Sequence, residues 1–275
     1  MVSVDHDGDR GLMHGWIILD KPLGLGSTQG VSAVKRALRE GGYGKFKVGH
    51  GGTLDPLATG VLPIAVGEAT KLAGRMLDSD KVYDFTVKFG VETDTLDLEG
   101  RVIAESDIRP SREEVEAVLP RFTGPIDQIP PAYSALKVDG ERAYDLARKG
   151  QDVTLASRAV TIRSLHILPG TGKGTVSEAG GGGGDRQAVR FEDGPLHHPS
   201  DGPPPRAGED KLEEITLTAH VSKGTYIRSL ARDIAHALGT VGHVTMLRRT
   251  EAGPFTLESA ISLDKLADAA KGRTL

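Results

Sequence analysis

One carboxylate, Asp55, stands in the stretch Val48–Thr70 (VGHGGTLDPLATGVLPIAVGEAT) with no other acid until Glu68. Gly51 and Gly52 before it favour a loop with unusual backbone angles, and Pro56 removes the backbone donor directly after it. The acid is thus presented on a loop, and the apolar run Val61–Val66, a short strand or the start of a buried helix, anchors that loop on its C-terminal side. Loops fixed by core in this way commonly carry chemistry. The plainer reading is a turn aspartate that bonds its own backbone. His50, five residues upstream, and three later motifs dense in small, charged and aromatic residues argue for chemistry.

Two further residues stand out. Lys81–Gly90 (KVYDFTVKFG) alternates as a half-buried strand does, with Val82, Asp84, Thr86 and Lys88 on one face and Tyr83, Phe85, Val87 and Phe89 on the other. Tyr83 therefore points inward, where pattern alone also fits a plain core tyrosine. Ser222–Leu238 (SKGTYIRSLARDIAHAL) opens on a glycine turn and becomes a helix with the stripe Ile227, Leu230, Ala231, Ile234 and Leu238. Arg228 falls near its N-terminal end, where a cation opposes the helix dipole, so a carboxylate partner is expected.

The remaining elements frame these three. Gly15–Asp20 reads as a strand stopped by Lys21-Pro22, and Ser27 or Thr28 starts a helix with Val31, Val34 and Leu38 on its apolar side. Thr93–Gly100 (TDTLDLEG) holds Asp94, Asp97 and Glu99 but lacks the glycine-centred calcium pattern, and reads as a turn between strands. Ser111–Leu119 is a helix with a capping box from Ser111 to Glu114. Pro130–Gly150 begins as rigid loop and ends as a basic amphipathic helix, with Tyr133 and Tyr144 among Lys137, Arg142, Arg148 and Lys149. That is the composition expected where bases stack and phosphates are neutralised. Gly170–Lys211 is Gly- and Pro-rich and reads as a flexible insertion between the strands Val160–Leu168 and Glu214–Val221; His197 and His198 within it read as solvated.

On these motifs the sequence resembles the TruB family of tRNA pseudouridine synthases. GHGGTLDPLATGVLPIAVGEATK is similar to the family's signature motif, the DKP turn at Asp20–Pro22 to its opening motif, KVYDFTVKFG with TDTLDLEG to its second, GTYIR to its arginine motif, and VTMLRR with GPFTL to its last. The likeness covers Trp16–Leu168 and Leu212–Leu266. It implies an α+β pseudouridine synthase fold: a mixed, mostly antiparallel central sheet with flanking helices and a catalytic cleft across the sheet. It implies Asp55 as catalytic nucleophile, Arg228 as its ion-pair partner and Tyr83 as the tyrosine that stacks on the base. Substrate contacts fall to His50, which fills the stack a flipped base vacates, and to Lys21, Tyr226, Ile227, Leu247, Tyr133 and Arg142. The implied reaction turns uridine 55 in the T loop of tRNA into pseudouridine and needs no cofactor or metal. The implied organisation is a polar tail (1–14), a catalytic domain (15–266) with an RNA-binding insertion at 124–152 and the flexible one at 170–211, and a short tail (267–275). This leaves no room for the full RNA-binding PUA domain of many bacterial relatives.

Composition agrees with an intracellular RNA enzyme without requiring one. With 38% hydrophobic residues in 275, the chain can build one large domain. The absence of cysteine excludes disulfides, thiolate nucleophiles and sulfur-ligated zinc. No run approaches the roughly 18 apolar residues that span a bilayer, and MVSVDHDGDRGLMHG has no signal-peptide core, so a soluble protein is expected; a cytoplasmic location and a monomer are expected with it. The net charge of −4 argues against coating nucleic acid through bulk charge, although Lys35, Arg36, Arg39, Lys45 and Lys47 lead into the Asp55 loop. An aspartyl-phosphate enzyme is disfavoured because Thr53 and Leu57 stand where a metal-binding acid is needed. A non-catalytic RNA-binding protein is the stronger rival, from which only Asp55, Arg228 and Tyr83 together separate an enzyme.

Overall fold

The computed structural model describes residues 13–134, 136–138, 140–149, 155–174 and 211–272. The core of the polar tail, His197 and His198, and positions 175–210 of the Gly/Pro-rich insertion lie outside them. The strands are β1 (Gly15–Lys21), β2 (Val48–His50), β3 (Ala58–Val66), β4 (Lys81–Phe89), β5 (Val91–Thr93), β6 (Val102–Glu105), β7 (Gly124–Gln128), β8 (Lys137–Val138), β9 (Glu141–Arg142), β10 (Arg158–Ile167), β11 (Lys173–Gly174), β12 (Leu212–Val221), β13 (Gly242–Ala252) and β14 (Phe255–Thr256). The helices are α1 (Ser27–Glu40), α2 (Ala73–Asp78), α3 (Arg112–Val118), α4 (Ala143–Arg148), α5 (Ile227–Ala237) and α6 (Leu263–Ala270).

One sheet organises the chain, in the order β1-β3-β13-β4-β12-β10-β7. Along this path only β13 runs parallel to its neighbour, β3, so the sheet is mixed and mostly antiparallel as the family resemblance implies. The alternation in β4 has the expected consequence. Phe85, Val87 and Phe89 are buried against α3 and α5 together with Ile215, Leu217 and Ala219 of β12. On the other face Thr86 meets Thr216 at 2.9 Å and Thr218 donates to Asp84 at 2.7 Å, each pair directly opposed across β4 and β12.

A second apolar cluster packs α1 and α6 onto β1 and β3 through Leu19, Val34, Leu38, Leu62, Ile64 and Leu266. Tyr83 and Leu247 touch both clusters, so the two cores meet at the residues the sequence assigns to the base pocket. Where the likeness implied an RNA-binding insertion from 124, the chain first completes the sheet: β7 pairs with β10 from Arg158↔Gln128 to Ile162↔Gly124. The strand is at the edge, where Pro125 costs no ladder hydrogen bond on the open side. The strands on either side of the Gly/Pro-rich segment pair directly, with Ile167 opposite Leu217, so that segment departs from and returns to one hairpin.

Candidate active site

The Asp55 loop leaves β2 and enters β3, and its backbone is tied down on both sides of the acid. Ser27, the first residue of α1, accepts from Leu54 N at 2.8 Å and donates to Leu54 O at 2.9 Å. The Pro56 carbonyl accepts from Gly24 N at 2.9 Å and from Lys21 Nζ at 3.2 Å. Arg249 donates to the Gly52 carbonyl at 3.2 Å and more weakly to Thr53 O at 3.4 Å, while its Nε holds Val61 O at 2.7 Å. Gly52 has φ +154° at this approach, and a β-carbon there would stand 3.5 Å from Arg249 Nη1. With so many partners on the backbone, the loop is fixed around Asp55, whose side chain remains 46% exposed.

Arg228, the second residue of α5, meets it. Its Nη2 lies 2.9 Å from Asp55 Oδ2, and the same nitrogen donates to Tyr133 O at 3.0 Å. Its Nη1 lies 3.3 Å from Asp97 Oδ2 and donates to Thr95 O at 2.7 Å. This resolves the unfavourable placement against the helix dipole: two carboxylates and two carbonyls compensate the charge. Asp97 was expected only as part of a turn. The turn is there, between β5 and β6, with Leu96 at φ +62°, and it delivers Asp97 to the cleft. Asp97 Oδ1 is held by Thr95 Oγ1 at 2.6 Å and by Glu99 N at 3.0 Å.

A cleft of about 510 Å³ opens over this pair. Asp55, Tyr83, Arg228, Tyr226, Ile227, Leu247 and Tyr133 all line it, so seven of the ten residues named from sequence converge there. Leu247 is on β13 opposite Ala58 and Phe85, and Ile227 is the buried first residue of α5. The Tyr83 hydroxyl lies 3.4 Å from Arg249 Nη1, and Arg249 sits 6.0 Å from the ring centre. Arg158 stands over the Tyr226 ring at 5.1 Å, and Tyr226 N donates to Gln128 Oε1 at 2.8 Å. Tyr133 and Tyr144 stack edge to face with centroids 6.3 Å apart, and Arg148 covers Tyr144 at 4.3 Å.

Of the other three, Lys21 and His50 lie elsewhere. Lys21 is fully buried behind the loop, with its ammonium on the carbonyls of Leu25 (2.6 Å), Pro22 (3.1 Å) and Pro56. All three of its donors are used internally, and through them Lys21 positions the loop. Burial holds its pKa down to about 8. His50 ends β2, outside the cleft wall; its Nδ1 is buried without a partner among the described residues, and burial, with the Arg249 charge, lowers its pKa. Arg142 is on the β8–β9 hairpin opposite Lys137.

Several of the basic residues are paired with carboxylates. Lys223 pairs with Asp78, Arg248 with Asp20, Lys149 with Glu141 and Arg232 with Asp233, each at 2.8–3.0 Å, and Arg249 is internal. Among the described residues no helix is long and apolar enough to cross a membrane.

The mixed sheet, with an arginine-paired aspartate and a tyrosine lining its cleft, accords with the class that the relatives show: a pseudouridine synthase, an isomerase of uridine. The family model "TruB family pseudouridylate synthase (N terminal domain)" matches residues 37–177, "tRNA pseudouridylate synthase B C-terminal domain" matches residues 228–273, and the chain belongs to the TruB family. The "tRNA pseudouridine synthase B" of Novosphingobium aromaticivorans is 61% identical over 264 residues, which is 96% of this chain and 75% of that one. The protein of the same name from Zymomonas mobilis subsp. mobilis is 55% identical over 263 residues, covering 96% and 74%. Among solved structures, a Cbf5-Nop10-Gar1 complex is similar with a TM-score of 0.60 and 27% identity, covering 92% of this chain and 54% of that one. An H/ACA RNP bound to a substrate RNA containing 2'-deoxyuridine is similar with a TM-score of 0.57 and 25% identity, covering 92% and 52%. The chain thus spans about half the length of these two solved chains.

Proposed function

We propose that this synthase acts on the T loop of tRNA, converting uridine 55 by base flipping with Asp55 as nucleophile. The observation that carries the reading is the 2.9 Å ion pair between Asp55 and Arg228 in a cleft that Tyr83 also lines and that is large enough for a nucleotide.

The reaction breaks the bond between N1 of uracil and C1′ of the ribose and forms one from C5 to C1′. C5 gives up a proton and N1 gains one, so atoms balance without oxidant or reductant. The protein must supply a carboxylate to attack, a group to move the proton, walls that retain the free base, and a way out of the stack. Asp55 attacks, oriented by Arg228. Tyr83 stacks on the base and carries the proton, its hydroxyl set by Arg249. Ile227 and Leu247 are the apolar walls. Extrusion costs a few kcal/mol, part of which His50 offsets by filling the gap in the stack. Tyr133, Tyr226 and Arg142 contact the RNA, and the insertion at about 124–152, whose first residues also complete the sheet, is the part of the catalytic unit that meets it. The enzyme works as a cytoplasmic monomer, without cofactor or metal.

Incubation with unmodified tRNA followed by carbodiimide treatment and primer extension tests this reading. A reverse-transcriptase stop at the T-loop uridine is expected, and it should be absent with Asp55→Asn protein. No stop with the unaltered protein would overturn the proposed function.

A further inference from the structure

Behind Tyr83 a second cavity of about 160 Å³ opens off the cleft, sharing Thr53, Leu77, Tyr83, Gly224 and Thr225 with it. Among the described residues no carboxylate lines this cavity, whereas two buried cations do, Lys81 at 7% exposure and Arg249 at 1%. The acids nearest Lys81 are engaged elsewhere, Asp78 with Lys223 at 3.0 Å and Asp80 with Arg163. Among the described residues Lys81 holds only carbonyls, those of Met76, Leu77 and Ser79, which orient the ammonium without neutralising it. Of the five N–H groups of Arg249, four have the acceptors Val61 O, Gly52 O, Thr53 O and the Tyr83 hydroxyl. One on Nη2 has none among the described residues.

Hydroxyls complete the lining. Ser222 Oγ accepts from Thr161 N at 2.9 Å and has its own hydrogen to give, and the Thr53 hydroxyl is likewise unengaged among the described residues. Two positive charges and three spare donors around a carboxylate-free space are what a tetrahedral oxyanion requires. Burial and the Arg249 charge hold the Lys81 pKa down to about 8, a penalty that an anion in the cavity would reverse.

We propose that this cavity is an anion site that takes one backbone phosphate of the RNA, next to the nucleotide whose base enters the cleft. The inference rests on the RNA-modifying reading above and adds to it a fixed point for the strand. The contact would place the flipped nucleotide against Tyr83 and Asp55 by its backbone, independently of its base.

The test is a methylphosphonate scan of a T stem-loop RNA, in which each phosphate near the target uridine is made neutral in turn. With unaltered protein, one position should weaken binding about tenfold, the loss of a single phosphate contact. With Lys81→Met protein, binding should already be weaker with a salt slope lower by about one, and methylphosphonate at that same position should cost no more than about twofold further. Should Lys81→Met fail to fold, Thr53→Val, at an exposed position, provides the same double-substitution cycle through its hydroxyl.

Additive effects at every position would overturn the proposal. Inorganic phosphate as competitor separates the two sources of the same chemistry. Competition abolished by Lys81→Met, with all cycles additive, would assign the cavity to free phosphate and overturn the RNA assignment. Pseudouridine is scored on the unmodified stem-loop in parallel: its absence counts against the proposed function, whereas turnover with additive cycles counts against this site alone.

Discussion

Arg228 and Asp55 meet at 2.9 Å from opposite environments, the guanidinium 8% exposed and the carboxylate 46%. The cation is the fixed partner, held from inside by Thr95 O, Tyr133 O and Asp97, and the acid is offered to the cleft. Arg228→Ala leaves Asp97, 12% exposed, without its cation, and breaking a buried pair in this way costs about 3–5 kcal/mol. Single-turnover rates at saturating enzyme should fall by orders of magnitude. Arg228→Lys should recover only part, since an ammonium cannot reach both carboxylates with a planar fork. If Arg228 instead only touches phosphate, its loss reduces the salt slope by about one and leaves that rate near normal. A near-normal rate would therefore sink the ion-pair role.

Asp55→Asn keeps the shape of the side chain, and the loop that carries it is held by Ser27, Lys21, Gly24 and Arg249 rather than by the acid. Isomerisation should vanish while the tRNA Kd stays within roughly tenfold. Substantial turnover would remove Asp55 from the nucleophile's role.

The legible part of this site is the part with a periodicity or a motif. The alternation in Lys81–Phe89 placed Tyr83 on the face shared with Phe85, and the capping box at Ser111 is present, with Glu114 Oε2 accepting from Ser111 N at 2.7 Å. Three positions were hidden, two because their partners have no letter of their own and one because its partner is far away in the chain. Lys21 and Arg249 look like surface charges in sequence, yet both are buried on backbone carbonyls, which every residue possesses alike. Asp97 looks like a turn acid and is one, and only the fold brings β5–β6 beside α5. The signal available was numerical: Arg228 called for carboxylate near an N-terminus, and TDTLDLEG offered it. Gly124–Gln128 escaped as a strand because Gly, Pro and Asp are poor strand formers that an edge tolerates.

Asp97→Asn tests the second carboxylate. The loop bond from Thr95 Oγ1 keeps an acceptor, while the charge facing Arg228 Nη1 at 3.3 Å is lost. A charge-assisted hydrogen bond is worth about 1.5–3 kcal/mol, so the single-turnover rate should fall about 10- to 100-fold with tRNA binding little changed. An unchanged rate would make Asp97 a loop residue alone.

Tyr83→Phe separates stacking from proton transfer. The ring remains between the two apolar clusters, and Arg249 keeps its carbonyl partners. If the hydroxyl moves the proton, the single-turnover rate should drop by about 10²–10⁴ with the tRNA Kd unchanged. A normal rate in the phenylalanine variant would leave Tyr83 as a stacking platform.

Lys21 gives the fold a pH signature. Its pKa is held down to about 8 first by burial, with Asp55 pulling it up and Arg249 pushing it further down. In the unfolded chain it returns to its ordinary value of 10.5. Between these two values the unfolded state binds more protons than the folded one, so the free energy of unfolding rises with pH across that window. Below about pH 8 the ammonium is charged in both states, and the burial penalty is present in full. Lys21→Met has no proton to lose there. Urea unfolding at pH 7.5 and pH 9.5 should therefore show the stability of the unaltered protein, relative to Lys21→Met, increasing at the higher pH. The comparison between the two proteins removes groups they share, including the tyrosines that begin to titrate in the same range. A difference that stays constant or shrinks with pH would mean that Lys21 is not a buried charge braced on Leu25 and Pro56, and that the Asp55 loop is held without it.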